Sequence, residues 1–268
     1  MPRRARTRPA GPDALVVADA TVRFGGVVAL DGVSLHVRSE GVTGLIGPNG
    51  AGKTTLFGVA GGFVTPDAGR VFFHDRDVTG WPAHRRAAAG IGRTFQRLEL
   101  FGRLSALENL LVAREVRRSK ATLFDDLFAL RRAATHEHAA RDAAEQILSL
   151  VGLEWARDRE AASLPLGAQG AADLEQPARA EPSLLMLDEP TSGLDARESE
   201  MVASLIGRVR TQLSVSVLLV EHDVDFVASV CDDVFVLDFG RMIAHGPPDR
   251  IGKHPVVRAA YLGAEAAS

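Results

Sequence analysis

The stretch Gly47-Pro48-Asn49-Gly50-Ala51-Gly52-Lys53-Thr54 constrains the fold more than any other in the chain. It is a complete G-x-x-x-x-G-K-[ST] loop, placed directly after the strand-like run Val42-Thr43-Gly44-Leu45-Ile46 and before a helix-compatible run over 54–60. In that setting the loop reads as a phosphate cradle. Glycines at 47, 50 and 52 allow a tight turn that aims successive N–H groups inward, and the following helix offers its partly positive N-terminus to a β-phosphate. Lys53 is placed to reach the β- and γ-phosphates, each charge-assisted hydrogen bond contributing about 1.5–3 kcal/mol. Thr54 is expected to ligate Mg²⁺ through its hydroxyl, and Thr55 to contact a neighbouring phosphate. The bland alternative, a glycine-rich turn with a chance lysine, leaves the flanking strand and helix signals unexplained.

The rest of the composition narrows the class. The 268 residues suit one large α/β domain with an inserted helical lobe and a sizeable core. Arg3, Arg4, Arg6 and Arg8 form a short basic tail, expected to be disordered over 1–13, and no apolar stretch follows that could serve as a signal core. The single cysteine, Cys231, excludes an internal disulfide framework and fits a reducing compartment. With net charge −3 and mixed acids and bases, nothing beyond the arginine tail marks a nucleic-acid binder.

Short β-type runs (Leu15-Val16-Val17, Thr21-Val22-Arg23-Phe24, Val27-Val28-Ala29-Leu30, Ser34-Leu35-His36-Val37), punctuated by Gly25-Gly26 and Asp31-Gly32, predict a small antiparallel sheet. Gly44 weakens the strand signal of 42–46 on composition alone. Gly61-Gly62 and the run Pro66-Asp67-Ala68-Gly69 end the helix after the loop. From about 104 to 153 the pattern turns helical: Ser105 and Glu108 make a capping box, and Leu107, Leu110 and Leu111, then Leu123, Phe124, Leu127 and Phe128, recur at helix spacing. Leu184-Leu185-Met186-Leu187 and Val217-Leu218-Leu219-Val220 are continuous apolar runs of the kind found in strands buried on both faces. A parallel sheet wrapped by helices follows.

Both apolar runs end in chemistry. Asp188-Glu189-Pro190 places two carboxylates at the C-terminal edge of a buried strand, the edge where open α/β sheets bind ligands. Asp188 suits a Mg²⁺ ligand, direct or through water, and Glu189 a general base for the water attacking the γ-phosphate. Glu221-His222-Asp223 ends the second run, and His222 is placed to hydrogen-bond the γ-phosphate or that water. Gln96 follows a strand-like segment over 90–94, where its amide would complete the Mg²⁺ shell.

The order phosphate loop, Phe95-Gln96, helical lobe, Leu184-Leu185-Met186-Leu187-Asp188-Glu189-Pro190, Thr191-Ser192-Gly193-Leu194-Asp195, then Glu221-His222-Asp223 resembles the nucleotide-binding subunit of ABC transporters over about residues 14–263. The resemblance implies an α/β P-loop NTPase of ABC type, with an antiparallel β-subdomain, a helical lobe over about 97–180 and a short tail at 264–268. It implies that Phe24 stacks on adenine, where the family more often has tyrosine. It makes Gln96 the glutamine-loop residue, Asp188 and Glu189 the Walker B pair, His222 the switch histidine and Asp195 a D-loop residue at a dimer seam. Asp195 also reads as a helix N-cap, with Glu198 three residues on. Finer resemblance, through Gly92-Arg93-Thr94-Phe95-Gln96, Glu108-Asn109-Leu110-Leu111, His254-Pro255 and Ala260-Tyr261-Leu262-Gly263, is to ATPase subunits of importers for branched-chain and other hydrophobic amino acids and their amide relatives.

One segment departs from the family. Where a signature loop is expected stands Leu164-Pro165-Leu166-Gly167, with Gly167 its best match, followed by a helix region carrying Gly170, Gln176 and Pro177. An interior proline costs about 3 kcal/mol and a glycine about 1 in a helix, so this helix is expected to be weakened, bent or shortened, and closure on a partner's nucleotide impaired. Three readings stand at this point: an ATP-hydrolysing importer motor, a degraded ATP-binding subunit that does not hydrolyse, and a soluble ABC ATPase unconnected with transport. The first implies ATP and Mg²⁺, a second ATPase subunit, two transmembrane permease subunits, an extracytoplasmic solute-binding protein, and residence on the cytoplasmic face of the membrane. Neither a P-loop kinase nor a GTPase explains the Asp195 and His222 elements together.

Overall fold

A computed structural model describes residues 13–93, 101–109, 111–112, 141–142, 144–145, 148–149, 154–164 and 182–265. Gln96, Gly167, the proline-bearing signature segment and most of the expected helical lobe lie outside the described residues. A six-stranded sheet carries the architecture, in the order β10-β9-β3-β8-β7-β6. Its strands are β3 (Val42–Ile46), β6 (Ile91–Arg93), β7 (Leu184–Asp188), β8 (Ser216–Val220), β9 (Asp233–Asp238) and β10 (Arg241–Gly246). Only β10 runs antiparallel to its neighbour. The two continuous apolar runs are β7 and β8, buried at every residue, as their lack of alternation predicts.

A second, antiparallel sheet has the order β2-β1-β4-β5, with β1 (Asp13–Phe24), β2 (Val27–Arg38), β4 (Ala68–Phe73) and β5 (Arg76–Asp77). The four short runs expected here are two long strands. Asp31-Gly32 does not end β2. The pairing steps from Val22 opposite Leu30 to Ala20 opposite Val33, then to Val17 opposite Leu35, so an extra residue on β2 is followed by an extra residue on β1. The two bulges offset one another, and both strands continue in register.

Two apolar layers follow from the alternation of side chains along the strands. On one face of the central sheet, Leu184, Met186, Leu218, Val220, Phe235 and Leu237 pack with helix α1 (Lys53–Gly61) and the antiparallel sheet. On the other, Leu185, Leu187, Val217, Leu219, Val234 and Val236 pack with α3 (Ala196–Leu213), α4 (Val224–Val230), α5 (Pro248–Ile251) and α6 (Pro255–Glu265). Gly44 belongs in β3 for a steric reason: a Cβ there would meet Cys231 Sγ at 2.9 Å. The short helix α2 (Ala83–Ala88) supplies Arg86, whose side chain is 1% exposed. Its guanidinium donates to the carbonyls of Val59 and Ala60 at 2.7 Å each, and to those of Trp81 and Thr79 at 3.1 Å each. A buried cation thus satisfies acceptors at the C-terminal end of α1, where helix carbonyls lack intrahelical partners.

The expected capping box at Ser105 is present. Ser105 N–H donates to Glu108 Oε2 at 2.7 Å, and Glu108 N–H to Ser105 Oγ at 3.2 Å. From the lobe region, Ala106, Leu107, Ala144, Leu148, Ala156 and Leu164 join the core layer of α3.

Candidate functional site

The phosphate loop leaves β3 at Gly47 and enters α1 at Lys53. Two of its glycines are required by close approach. A Cβ on Gly47 would lie 2.0 Å from the Leu237 carbonyl oxygen, and one on Gly52 would lie 2.7 Å from that of Ala29; Gly52 also has φ +103°. The loop is therefore wedged between β9 and β2. Gly52 caps α1 without a side-chain hydrogen bond, and no acidic residue stands in the first turn. Such a helix start favours an anion, because its N–H groups and positive dipole end meet no internal competitor. Asn49, Gly50 and Thr54 are exposed, Thr55 is half-buried and Ala51 is buried.

Lys53 is buried, and its Nζ donates to the carbonyls of Gly47 at 2.6 Å and Pro48 at 3.0 Å. Burial pulls its pKa below the ordinary lysine value, while Glu189, Asp188 and Glu221 oppose that shift. These three carboxylates act on it because β3, β8 and β7 are adjacent and parallel, which brings their C-terminal ends to one edge.

Asp188 closes β7, buried, with its pKa pushed up by burial and partly restored by Arg93. Arg93, at the end of β6, donates to Asp188 Oδ2 at 3.2 Å and lies 4.6 Å over each of the Phe57 and Phe63 rings. Glu189 follows with φ +47°, a left-handed conformation that costs a non-glycine residue about 1–3 kcal/mol, and its N–H is anchored on the Val220 carbonyl at 2.9 Å. Strain of this kind, held by the neighbouring strand, fixes where the residue leaves the sheet.

Glu221 was not assigned a role from the sequence. It directly follows β8 and has no exposed surface. Its Oε1 accepts from the Thr191 N–H at 3.0 Å and from the Thr191 hydroxyl, and its Oε2 accepts from the His222 N–H at 3.0 Å. It ties the turn after β7 to the residue after β8. The His222 side chain is 58% exposed, with Nδ1 3.4 Å from Glu221 Oε2. The signal for Glu221 was its place at the end of a strand buried on both faces; Arg93 and Arg86 carried no local signal. Asp195 caps α3 in a reciprocal box: its Oδ1 accepts from Glu198 N–H at 2.8 Å, and its own N–H donates to Glu198 Oε2 at 3.2 Å. Phe24, at the tip of the β1–β2 hairpin, is 55% exposed. The structure thus unites Lys53, Asp188, Glu189 and His222 at one sheet edge, with the hairpin strand β2 against the loop.

The sequence pattern of the ABC transporter family matches residues 30–192, and that of the branched-chain amino acid ATP-binding cassette transporter family matches residues 241–267. The chain is 38% identical over 249 residues to the high-affinity branched-chain amino acid transport ATP-binding protein BraF of Pseudomonas aeruginosa, covering 93% of this chain and 97% of BraF. It is 33% identical to the lipopolysaccharide export system ATP-binding protein LptB of Escherichia coli, covering 90% and 93%. Among solved structures, the ADP conformation of MJ1267, an ATP-binding cassette of an ABC transporter, superposes with a TM-score of 0.79 at 29% identity, covering 94% of this chain and 99% of that one. The fold, the loop and these similarities together show that the chain belongs to the ABC transporter family, as an ATP-binding cassette ATPase.

Proposed function

We propose that the chain is the ATP-hydrolysing motor subunit of an ABC importer for branched-chain or other hydrophobic amino acids, or related amides. The observation that carries the catalytic part is the convergence of Lys53, Asp188, Glu189 and Glu221-His222 at the C-terminal edge of three adjacent parallel strands. Import rather than export rests on the higher identity to BraF than to LptB, and on the match at 241–267.

In this reading the loop N–H groups and Lys53 hold the phosphates of ATP, and Lys53 exchanges its contacts with the Gly47 and Pro48 carbonyls for phosphate oxygens. Phe24 stacks on adenine. Thr54, Asp188 and Gln96 would hold Mg²⁺, which supplies charge neutralisation of the phosphates when bound. The donor set fits: a hydroxyl at the helix start and a buried carboxylate already drawn to a cation, Arg93. Glu189 takes the proton of the attacking water, and His222 orients that water or the γ-phosphate. A second ATPase subunit faces this one, with Asp195 at the seam and Gly167 touching the partner's nucleotide. Two permease subunits dock near Gln96; the exposed Phe101 is a contact candidate there. An extracytoplasmic solute-binding protein delivers the solute, and no nucleic acid takes part. Among the described residues no helix is long and apolar enough to cross a membrane, so placement at the cytoplasmic face depends on those permeases.

The test is Glu189→Gln. Proton-transfer help of this type supplies about 10²–10⁴-fold, so turnover should fall by that factor while Mg-ATP binding persists, and gel filtration should show a dimer only with ATP. Wild-type hydrolysis by Glu189→Gln would sink the assignment. For the substrate, the chain copurified with its permease pair should hydrolyse ATP faster when leucine-loaded binding protein is added.

A further inference from the structure

A second constellation lies away from the phosphate loop. Asp233, the first residue of β9, pairs with Thr43, whereas the end of β3 at Ile46 pairs with Val236. Three strand residues therefore separate Asp233 from the nucleotide edge, about 10 Å. Around Asp233 stand His36 of β2 and His245 of β10, so three strands from two different sheets each contribute one side chain. His245 Nε2 lies 2.7 Å and His36 Nε2 3.8 Å from the same oxygen, Asp233 Oδ2. The three ligand atoms all lie within 4.8 Å of one another.

His36 Nε2 is the informative atom. It is buried, has no hydrogen-bond partner among the described residues, and is too far from Asp233 to form one. A His–Asp hydrogen bond accounts for His245 but leaves this nitrogen facing the carboxylate across a gap. Both imidazoles are held by Phe235, stacked on His245 at 4.0 Å and edge-on to His36 at 5.0 Å. The cluster borders an open cleft of about 1100 Å³ whose walls carry Asp13, Asp19, Asp31 and Asp75 against one arginine, Arg241, itself paired with Asp31 at 2.8 Å. That balance favours a cation.

We propose that His36, Asp233 and His245 form a site for a divalent transition metal of the zinc class, with water from the cleft as fourth ligand. Two imidazole nitrogens and one carboxylate oxygen are a zinc donor set, whereas Mg²⁺ and Ca²⁺ prefer oxygen alone. Metal–ligand distances of about 2.0–2.2 Å at tetrahedral angles place ligand atoms roughly 3.3 Å apart. The two edges to Asp233 Oδ2, 2.7 and 3.8 Å, straddle that value, and the ligand atoms all lie within 4.8 Å of one another, so rotation of His245 and His36 about their side-chain bonds is what binding requires. Arg38, whose Nη2 is 3.8 Å from Asp233 Oδ2, must swing aside, which its exposed side chain permits. The metal clips the antiparallel sheet to the central one and performs no step of ATP hydrolysis.

The experiment uses untagged, chelator-treated full-length protein without nucleotide, titrated with Co²⁺ and then Zn²⁺. One Co²⁺ per chain should bind with the intense visible absorption of a four-coordinate site, and Zn²⁺ should displace it. Zn²⁺ at about a hundredfold excess over its Kd should raise the unfolding midpoint by about 5 °C, and Mg²⁺ should leave it unchanged. His36→Gln, which leaves the Asp233–His245 bond intact, should weaken Co²⁺ at least ~10-fold; Cys231→Ser should not. No Co²⁺ bound, the weak spectrum of six-coordinate Co²⁺ alone, or undiminished binding by a folded His36→Gln protein overturns the proposal.

Discussion

Replacing Glu221 by Gln tests whether the support beneath the site matters as much as the groups that meet nucleotide. The carboxylate uses both oxygens: Oε1 for the Thr191 N–H and hydroxyl, Oε2 for the His222 N–H. An amide of equal size turns one acceptor into a donor. If its oxygen stays on Thr191, its NH₂ faces the His222 N–H; if it flips, it faces the Thr191 N–H. Either way one buried backbone donor loses its acceptor, at a cost of about 1–3 kcal/mol. The substitution also removes a buried negative charge that shares the sheet edge with Asp188 and Glu189, which returns part of that cost. A net loss of about 1–2 kcal/mol, or roughly 2–4 °C in Tm, is expected. The kinetic effect should be larger, because Thr191 starts the turn toward Asp195 and His222 leads out of β8, and displacements near 1 Å cost up to about 10²-fold. Steady-state hydrolysis should therefore show kcat down about 10–100-fold. Affinity for nucleotide, measured by equilibrium titration, should barely change, since Lys53 and its loop are not held by Glu221. A variant with wild-type kcat and unchanged Tm would refute the reasoning.

Three further outcomes follow from buried groups. Arg86→Met keeps most of the side-chain volume but strips donors from four carbonyls; although burial lowers the Arg86 pKa to about 10, it remains cationic at neutral pH, and its loss should cost about 2–4 kcal/mol in urea unfolding, since carbonyls left unpaired cost about 1–3 kcal/mol each and the relieved burial of a cation offsets part of that. A loss under about 1 kcal/mol would show the carbonyls find other donors. Cys231, its thiol pushed up from 9.0 to about 12 chiefly by burial and then by Asp232, Asp233 and Glu221, should hold a thiolate population about 10³-fold below an ordinary thiol. Thiol reagents at pH 8 should label it slowly in the native protein and rapidly in urea. Asp188 has a raised folded-state pKa, so the folded chain binds its proton more tightly than the unfolded chain, and stability from this group is lost as pH rises from the ordinary carboxylate value through the folded one. Above that window Asp188→Asn should unfold at a higher temperature than wild type without nucleotide, the gap closing in acid, while Mg²⁺-dependent hydrolysis is abolished.

How much of this was legible in the sequence follows the range over which each signal acts. The loop at 47–54, the capping boxes Ser105/Glu108 and Asp195/Glu198, and the apolar runs that became β7 and β8 are all written within a few residues, and each stands where its pattern placed it. The antiparallel sheet was read as four pieces because Asp31-Gly32 looks like a turn, and only pairing with β1 makes it a bulge. Strand β9 carries Val234-Phe235-Val236-Leu237, an apolar run as continuous as those of β7 and β8, and went unread; β4 is short and opens on Ala68-Gly69, and β10 opens on Arg241 and closes on His245-Gly246. The same distinction divides the site. Phosphate binding and proton transfer require particular groups at particular steps from one strand end, so Lys53, Asp188, Glu189 and His222 leave a pattern in the chain. Capping the end of α1 requires only a donor that arrives from somewhere, and here it arrives from Arg86, about two dozen residues on. Any long donor from any neighbouring element would serve, so such support leaves no spacing to recognise, and it is visible only once the elements are packed. Glu221 lies between the two cases: its position is local, at the end of β8, but its partner Thr191 comes from the turn after β7, so its role required knowing that β7 and β8 are neighbours.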